Sequence, residues 1–325
     1  MQQITQKNGI FTIEGYSKTL KTPFFFPSIS SVQTNFDVYD YFALLKKTAY
    51  PAFLISAYDI YNHEKKEQLI EEVSAQSQNS SFVLMDSGHY EAYWRNDKKW
   101  SFNKLKTVLD HIDIDLCFSF DVYFDGRNTS SKHIKETIKY AAMTAGAQKS
   151  GLTVPIIHSI PKEFPTVVKK VVEGINPEII GITERELGSS MLERAANLKK
   201  IRKELNKAKR DIPIHLLGTG NPISLLVYSL CGANLFDALE WCKTVVNPAN
   251  AHLHHFVQMD LIECNCKSCQ IKGLPYPARV MTHNLIFYEN FMNEIRTAIA
   301  KKRTNALLKK YLPNHIINDV KKLMC

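Results

Sequence analysis

Eight short apolar runs, separated by helical or loop stretches, restrict what this sequence can become more than any other feature. They are Pro23–Ser28, Phe53–Ala57, Phe82–Asp86, Asp115–Asp121, Val154–Ile160, Ile179–Thr183, Ile214–Gly218 and Leu235–Leu239. Most are continuously apolar, as strands buried on both faces of a parallel sheet must be. Amphipathic helical stretches lie between several of them, most clearly Ser131–Lys149, Met191–Lys207 and Pro222–Leu230. Alternation of strand and helix predicts an α/β chain, and eight repeats predict a (β/α)8 TIM barrel. An open doubly wound sheet is the alternative, but no glycine-rich dinucleotide fingerprint follows the first run.

After the eighth run the pattern changes. Residues 241–283 lack barrel periodicity and carry Cys264-Asn265-Cys266-Lys267-Ser268-Cys269. Three clustered thiols with one imidazole form a closed tetrahedral set for Zn²⁺, with no ligand position left for a catalytic water. His283 is the imidazole expected, with His252, His254 and His255 as rivals upstream. The zinc is expected to be structural, one per chain. The chain then divides into a barrel (1–240), a zinc-binding insertion (241–283) and C-terminal helices (284–325) that close the barrel and flank the zinc site. The first of those helices is read as Asn284–Lys301; a second helical stretch, Asn305–Leu312 and Ile316–Leu323, is interrupted by Pro313.

The remaining cysteines, Cys117, Cys231, Cys242 and Cys325, are scattered, as reduced thiols are. The opening residues are polar, and no apolar run approaches the length of a membrane span. A cytoplasmic protein with no membrane association is expected. The formal net charge is +9, and basic residues crowd the C-terminal third. Such a balance favours a polyanion, so nucleic acid is the expected partner class.

In a barrel of this type catalytic groups project from the C-terminal ends of the strands. Asp86, Asp121 and Asp237 fall there, His158 ends the fifth run and Gly218-Thr219-Gly220 ends the seventh. One carboxylate can attack a sugar carbon while another moves protons, the division of labour in glycosyl transfer through a covalent intermediate. A third can accept hydrogen bonds from a base edge. Tyr90 offers a flat surface for a heterocycle, or else a partly buried core aromatic.

Four segments, in order, resemble one family. Phe82-Val83-Leu84-Met85-Asp86-Ser87-Gly88 resembles the strand-Asp-Ser-Gly segment of tRNA-guanine transglycosylases. Leu216-Leu217-Gly218-Thr219-Gly220-Asn221-Pro222 is similar to their strand ending in Gly-x-Gly. Gly232-Ala233-Asn234-Leu235-Phe236-Asp237 is similar to the segment holding their nucleophile. Cys264-x-Cys266-x-x-Cys269 with His283-Asn284-Leu285 resembles their zinc site and following helix. The resemblance implies a (β/α)8 barrel with a zinc subdomain that exchanges guanine in a polynucleotide for a 7-deazaguanine base. It implies Asp237 as nucleophile on the sugar C1′, Asp86 as general acid/base, and Asp121 as reader of the guanine edge. Ser87, Gly88, Tyr90, His158, Gly218 and Gly220 would line the base site, and Cys264, Cys266, Cys269 and His283 would hold zinc. Members of the family often dimerise through the zinc region.

The sequence departs from that pattern in places. His89 stands where the family has a second glycine, and His158-Ser159-Ile160 stands where it has Gln-Gly-Gly. Its Gly-Leu-Ala-Val-Gly-Glu strand reads here Gly181-Ile182-Thr183-Glu184-Arg185-Glu186. After Asp237 the chain reads Ala238-Leu239-Glu240-Trp241-Cys242-Lys243-Thr244, without the Pro-Thr-Arg and arginine-rich stretch that meets the anticodon loop. Trp241 lies in that segment, where an indole either stacks on an unpaired base or packs beneath the insertion. Missing tRNA-reading residues place DNA slightly ahead of tRNA as the expected polymer. A non-catalytic nucleic-acid-binding partner subunit is the contrasting expectation, and a zinc hydrolase of unrelated type a more distant one.

Overall fold

Seven of the eight runs form single parallel strands: Phe24–Ile29, Ala52–Ser56, Phe82–Asp86, Leu116–Phe118, Ile180–Thr183, Ile214–Leu217 and Leu235–Ala238. The fifth run breaks in two at Pro155. Leu152–Val154 pairs with Leu116–Phe118, and Ile156–Ile157 pairs with Ile180–Thr183. Proline has no N–H to give a ladder. Its carbonyl still accepts the Gly181 N–H at 2.9 Å. The break therefore passes one strand from its left neighbour to its right one. The eighth strand pairs with the first, Asp237 opposite Phe26, and the ring is a (β/α)8 barrel. The structure, a computed structural model, describes residues 3–16, 18–121, 124, 126, 131–207 and 211–324. Cys325 lies outside them.

Alternation along each strand fixes what faces inward. Phe24, Phe26 and Ser28 share one face of the first strand. Phe26 meets Phe82 at 6.4 Å and His215 at 5.9 Å, and Phe118 meets His215 at 4.9 Å between ring centroids. The interior is thus an aromatic plug with one imidazole in it. The fourth and fifth strands are shorter than the apolar runs suggested. Past Phe118 the Phe120 N–H turns to Thr144 Oγ1 at 3.0 Å, and Ser119 Oγ accepts the Ile156 N–H at 3.2 Å. Side-chain oxygens take over from the ladder there, so Asp121 and His158 sit in the loops above the strands.

An antiparallel sheet of Ile4–Lys7, Ile10–Glu14 and Thr19–Lys21 precedes the barrel. Its Ile13 and Leu20 join the main core. Asp115, at the foot of the fourth strand, ties this sheet to the barrel. Its buried carboxylate accepts from the Val83 N–H (2.8 Å), Ser77 Oγ (3.1 Å) and Tyr16 N–H (3.3 Å), and pairs with Lys18 at 3.3 Å.

Beyond the barrel, Thr244–Asn247 and His252–His255 form a hairpin, followed by a short helix Lys267–Gln270 and the long helix Tyr276–Ala300. That helix starts well before Asn284, with proline in its first turn, where a missing N–H costs nothing. Thr304–Tyr311 and Asn314–Met324 follow it. Trp241 is core: it is fully buried, its indole N–H donates to the Ser28 carbonyl at 2.8 Å, and its ring meets Tyr41 edge-on. It has no face to offer a nucleic acid, so the stacking expectation for this residue does not hold. Among the described residues no helix is long and apolar enough to cross a membrane.

Asp115→Ala would leave the buried Val83 N–H without its acceptor and strip the half-buried Lys18 ammonium of its carboxylate, leaving it only the Ser77 carbonyl. Leaving a buried polar group without its partner costs about 1–3 kcal/mol. Urea unfolding should show a loss of that order, with the N-terminal sheet becoming the first site of proteolysis. Stability within about 1 kcal/mol of the parent would show that Asp115 is not the tie.

Candidate active site and metal centre

Asp237 points into the barrel from the eighth strand, 8 % exposed. His215 Nε2 lies 2.8 Å from Asp237 Oδ1, and Ser28 Oγ donates to Oδ2 at 3.1 Å. The His215 ring is fully buried among Phe26 and Phe118, and its Nδ1 has no hydrogen-bond partner. Nε2 is therefore the nitrogen that carries the proton and donates it to the carboxylate. Each oxygen of Asp237 is held by one donor, which fixes the rotation of the group. Neither His215 nor Ser28 was singled out from the sequence. The available signal was a lone imidazole inside the apolar run Ile214–Leu217.

Asp86 ends the third strand. Burial opposes its ionisation, and the nearby Asp237 and Asp121 charges add to that, so its pKa is raised to about 7. The Gly88 N–H donates to Asp86 Oδ2 at 2.8 Å and partly offsets the effect. Gly88 has φ +89°, and a Cβ there would lie 2.8 Å from the Tyr58 nitrogen. The turn accepts only glycine. Ser87 is buried beside it, its carbonyl taking the Trp100 indole N–H at 3.0 Å. His89 packs edge-on against Phe120 at 4.4 Å.

The loops above the fourth and fifth strands bring Asp121 and His158 together. His158 Nε2 lies 2.8 Å from Asp121 Oδ1, and Nδ1 lies 2.7 Å from Glu186 Oε1. Burial alone would lower the His158 pKa, but the two carboxylates outweigh it and raise it to about 10. His158 is thus an imidazolium at neutral pH, both N–H groups spent on carboxylates. Glu186, which the sequence shows only as part of the altered sixth-strand segment, is its second anchor. The Tyr90 ring is 40 % exposed on the helix His89–Trp94. Gly218 has φ +74°, and a side chain at Gly220 would collide with the Glu240 carboxylate. The Gly220 carbonyl accepts the Tyr288 hydroxyl at 2.7 Å.

A second pair of buried carboxyls stands behind Asp86. Glu91 accepts from Ser30 Oγ and Ser56 Oγ, both at 2.6 Å, and Asp59 accepts the Ser31 N–H at 2.8 Å and the Ser31 hydroxyl. Burial, then the neighbouring charge of Asp86 for Glu91 and of Glu91 for Asp59, raises each to about 7.

Cys264, Cys266, Cys269 and His283 offer ligand atoms that all lie within 4.8 Å of one another. Cys266 Sγ and Cys269 Sγ are 3.5 Å apart, and His283 Nδ1 is 3.6 Å and 3.5 Å from them. Tetrahedral sulfur and nitrogen ligands about 2.0–2.3 Å from an ion lie about 3.5–3.8 Å from each other. The residues fit. His283 Nε2 donates to the Val246 carbonyl at 2.8 Å, which leaves the Nδ1 lone pair for a metal. His252, His254 and His255 are not part of the group. A small core of Val245, Met259, Ile262 and Val280 packs beneath it.

A closed barrel with carboxylates gathered at the C-terminal mouth, and a thiolate–imidazole metal site beside it, defines a barrel enzyme with an accessory metal centre. The family model for queuine tRNA-ribosyltransferase matches residues 5–316, and the chain belongs to that family of transglycosylases. It is also similar to a tRNA-guanine(15) transglycosylase of Nanoarchaeum equitans (strain Kin4-M), at 22 % identity over 300 residues covering 88 % of this chain and 70 % of the relative.

Two outcomes follow from this geometry. Asp59, Asp86 and Glu91 hold protons in the folded chain that the unfolded chain releases between about pH 4 and 7. Their contribution to stability falls as pH rises through that window. Glu91→Gln should flatten this decline in thermal melts at pH 5 and pH 8; an unchanged difference would exclude Glu91. Prolonged chelation, or Cys266→Ser, should lower metal content and the melting temperature together, because metal binding is coupled to folding. A metal-free protein with the parent midpoint would remove the structural role.

Proposed function

We propose that this chain exchanges guanine in a polynucleotide for a 7-deazaguanine base through a covalent Asp237–sugar intermediate. The observation that carries the reading is a doubly held carboxylate, Asp237, beside a carboxyl, Asp86, that titrates near neutrality. An Asp237 oxygen bonds to the sugar C1′ as the C1′–N9 bond breaks. Asp86 gives its proton to the departing guanine. The incoming base then yields its N9 proton to Asp86 and bonds to C1′, releasing Asp237. No oxidant or reductant enters. A group that both gives and takes a proton works best with a pKa near the working pH.

In this reading Asp121 accepts from the guanine edge, Tyr90 stacks on the base, and Ser87, Gly88, Gly218 and Gly220 line the pocket. His158 acts on the base through Asp121, since both its nitrogens are taken. Cys264, Cys266, Cys269 and His283 hold one structural zinc. Exposed Val257, Leu261 and Ile271 in the metal-binding region suit a homodimer contact there. The site of action is cytoplasmic nucleic acid.

DNA is the polymer favoured by the segment after Asp237, where Lys243 is the one basic residue of Ala238–Thr244. The second reading, tRNA, is favoured by the name of the archaeal relative. Guanine leaves its stack at a cost of a few kcal/mol, so unpaired or opened substrate is expected in either case.

Labelled guanine should enter DNA in preference to tRNA; label in tRNA alone reverses the polymer, and label in neither makes the chain a binding subunit. Asp237→Asn should form no denaturant-resistant adduct with the polynucleotide. In the parent, the rate of adduct formation should fall as pH rises through about 7, where Asp86 loses its proton. Asp86→Asn should slow that step by about 10²–10⁴-fold and remove the pH dependence. An undiminished adduct in Asp237→Asn would overturn the mechanism.

A further inference from the structure

The helix His89–Trp94 is amphipathic the wrong way round. Its inward residue Glu91 is 2 % exposed, while Tyr90, Tyr93 and Trp94 are 40 %, 70 % and 52 % exposed. These three stand at i, i+3 and i+4, so they share one face. Their rings touch edge-on, Tyr90 to Trp94 at 6.4 Å and Tyr93 to Trp94 at 5.7 Å. Eight large hydrophobic residues are exposed among those described, and this one short helix supplies three of them. Burying a carboxyl and wetting three aromatic rings is unfavourable on both faces, so the outward face is built to be covered.

What covers it is marked by its surroundings. Arg95 follows directly, and Lys98 and Lys99 come after Asn96 and Asp97; all three cations are exposed. The Arg95 guanidinium donates to the Ser31 carbonyl at 3.2 Å and hydroxyl at 2.8 Å, which sets it on the loop after the first strand. Arg185, exposed above the sixth strand, acts electrostatically on Tyr90. Aromatic rings interleaved with cations fit the bases and phosphates of a single strand. The helix begins three residues after Asp86 and is about 9 Å long at 1.5 Å per residue. It is rigid: Glu91 is held by Ser30 and Ser56, and Trp100 holds Ser87 just ahead of it.

We propose that Tyr93 and Trp94, flanked by Arg95, Lys98 and Lys99, form a stacking platform for the unpaired bases beside the target nucleotide. This rests on the polynucleotide reading above and extends it from the target base to its neighbours in the strand.

The test uses the chain's own fluorescence. Of its three tryptophans, Trp100 and Trp241 are buried and Trp94 is exposed. A single-stranded oligodeoxynucleotide, or its RNA equivalent, should quench Trp94 emission, and Trp94→Phe should lose the signal while keeping affinity measured by anisotropy of a labelled oligonucleotide. Tyr93→Ala/Trp94→Ala, checked for fold by circular dichroism, should weaken that affinity about tenfold or more, at an unchanged slope of log affinity against log salt. Lys98→Ala/Lys99→Ala should instead reduce the slope. Binding without quenching, unaltered affinity in the double aromatic variant, or no oligonucleotide binding by the parent would each overturn the platform. A change in the double variant confined to self-association, seen by sedimentation, would assign the face to a second copy and overturn it too. Failure of guanine exchange with quenching intact would sink the base-exchange reading and leave the platform standing.

Discussion

Closure of the ring at Pro155 is the constraint on which the rest depends. A sheet that stopped at the fifth strand would leave two edges and an interior open to water. Splitting that strand joins Leu116–Phe118 on one side to Ile180–Thr183 on the other, and the inward faces fill with Phe24, Phe26, Phe82 and Phe118. Asp86 and Asp237 then stand at the rim of an apolar plug, with His215 inside it. There, burial resists charge and Asp86 keeps a proton near neutrality, while Asp237 is met by two donors, His215 and Ser28. The chemistry of the mouth follows from the dryness of what lies under it.

Much of this was readable in the sequence. Continuous apolar runs disclose strands covered on both faces, so the eight barrel positions were legible to within a few residues. Cys264, Cys266 and Cys269 are close in the chain, and closeness in the chain is what spacing can report. The contacts that were not legible are those between distant segments. His215 meets Asp237 across neighbouring strands, Ser28 reaches the same carboxylate from the first strand, and Glu186 anchors His158 from the loop above the sixth. The N-terminal sheet escaped notice because its strands are short and half exposed. Trp241 was ambiguous because aromatic residues serve cores and nucleic acids equally well; the exposed aromatic face turned out to be Tyr93 and Trp94.

The departures from the family pattern gather on the side of the site that meets the base in the mechanism proposed above. His89 fills space against Phe120 where a glycine would leave it open. His158 puts a cation between two carboxylates, so the positioning of Asp121 depends on an ion pair in which burial and charge oppose each other. Asp237 and Asp86, to which that mechanism gives the sugar and the proton transfer, keep the residue types of the family segments they resemble. Under that mechanism, base selection and bond cleavage fall to separate parts of the mouth, and one can change while the other is kept.

The helix Tyr276–Ala300 gives this arrangement a mechanical side. Within two turns it carries His283 of the metal site, then Asn284, whose side chain bonds the Val246 N–H and the carbonyls of Trp241 and Thr244. It then carries Tyr288, which stacks on Phe25 and holds the Gly220 carbonyl. At 1.5 Å per residue the metal ligand and the tyrosine stand about 7.5 Å apart on one stiff rod. The Cys264, Cys266, Cys269 and His283 cluster is therefore an anchor bolt for the loop that ends the seventh strand. A tug at one end of this rod is felt at the seventh-strand glycines without any loop in between to absorb it.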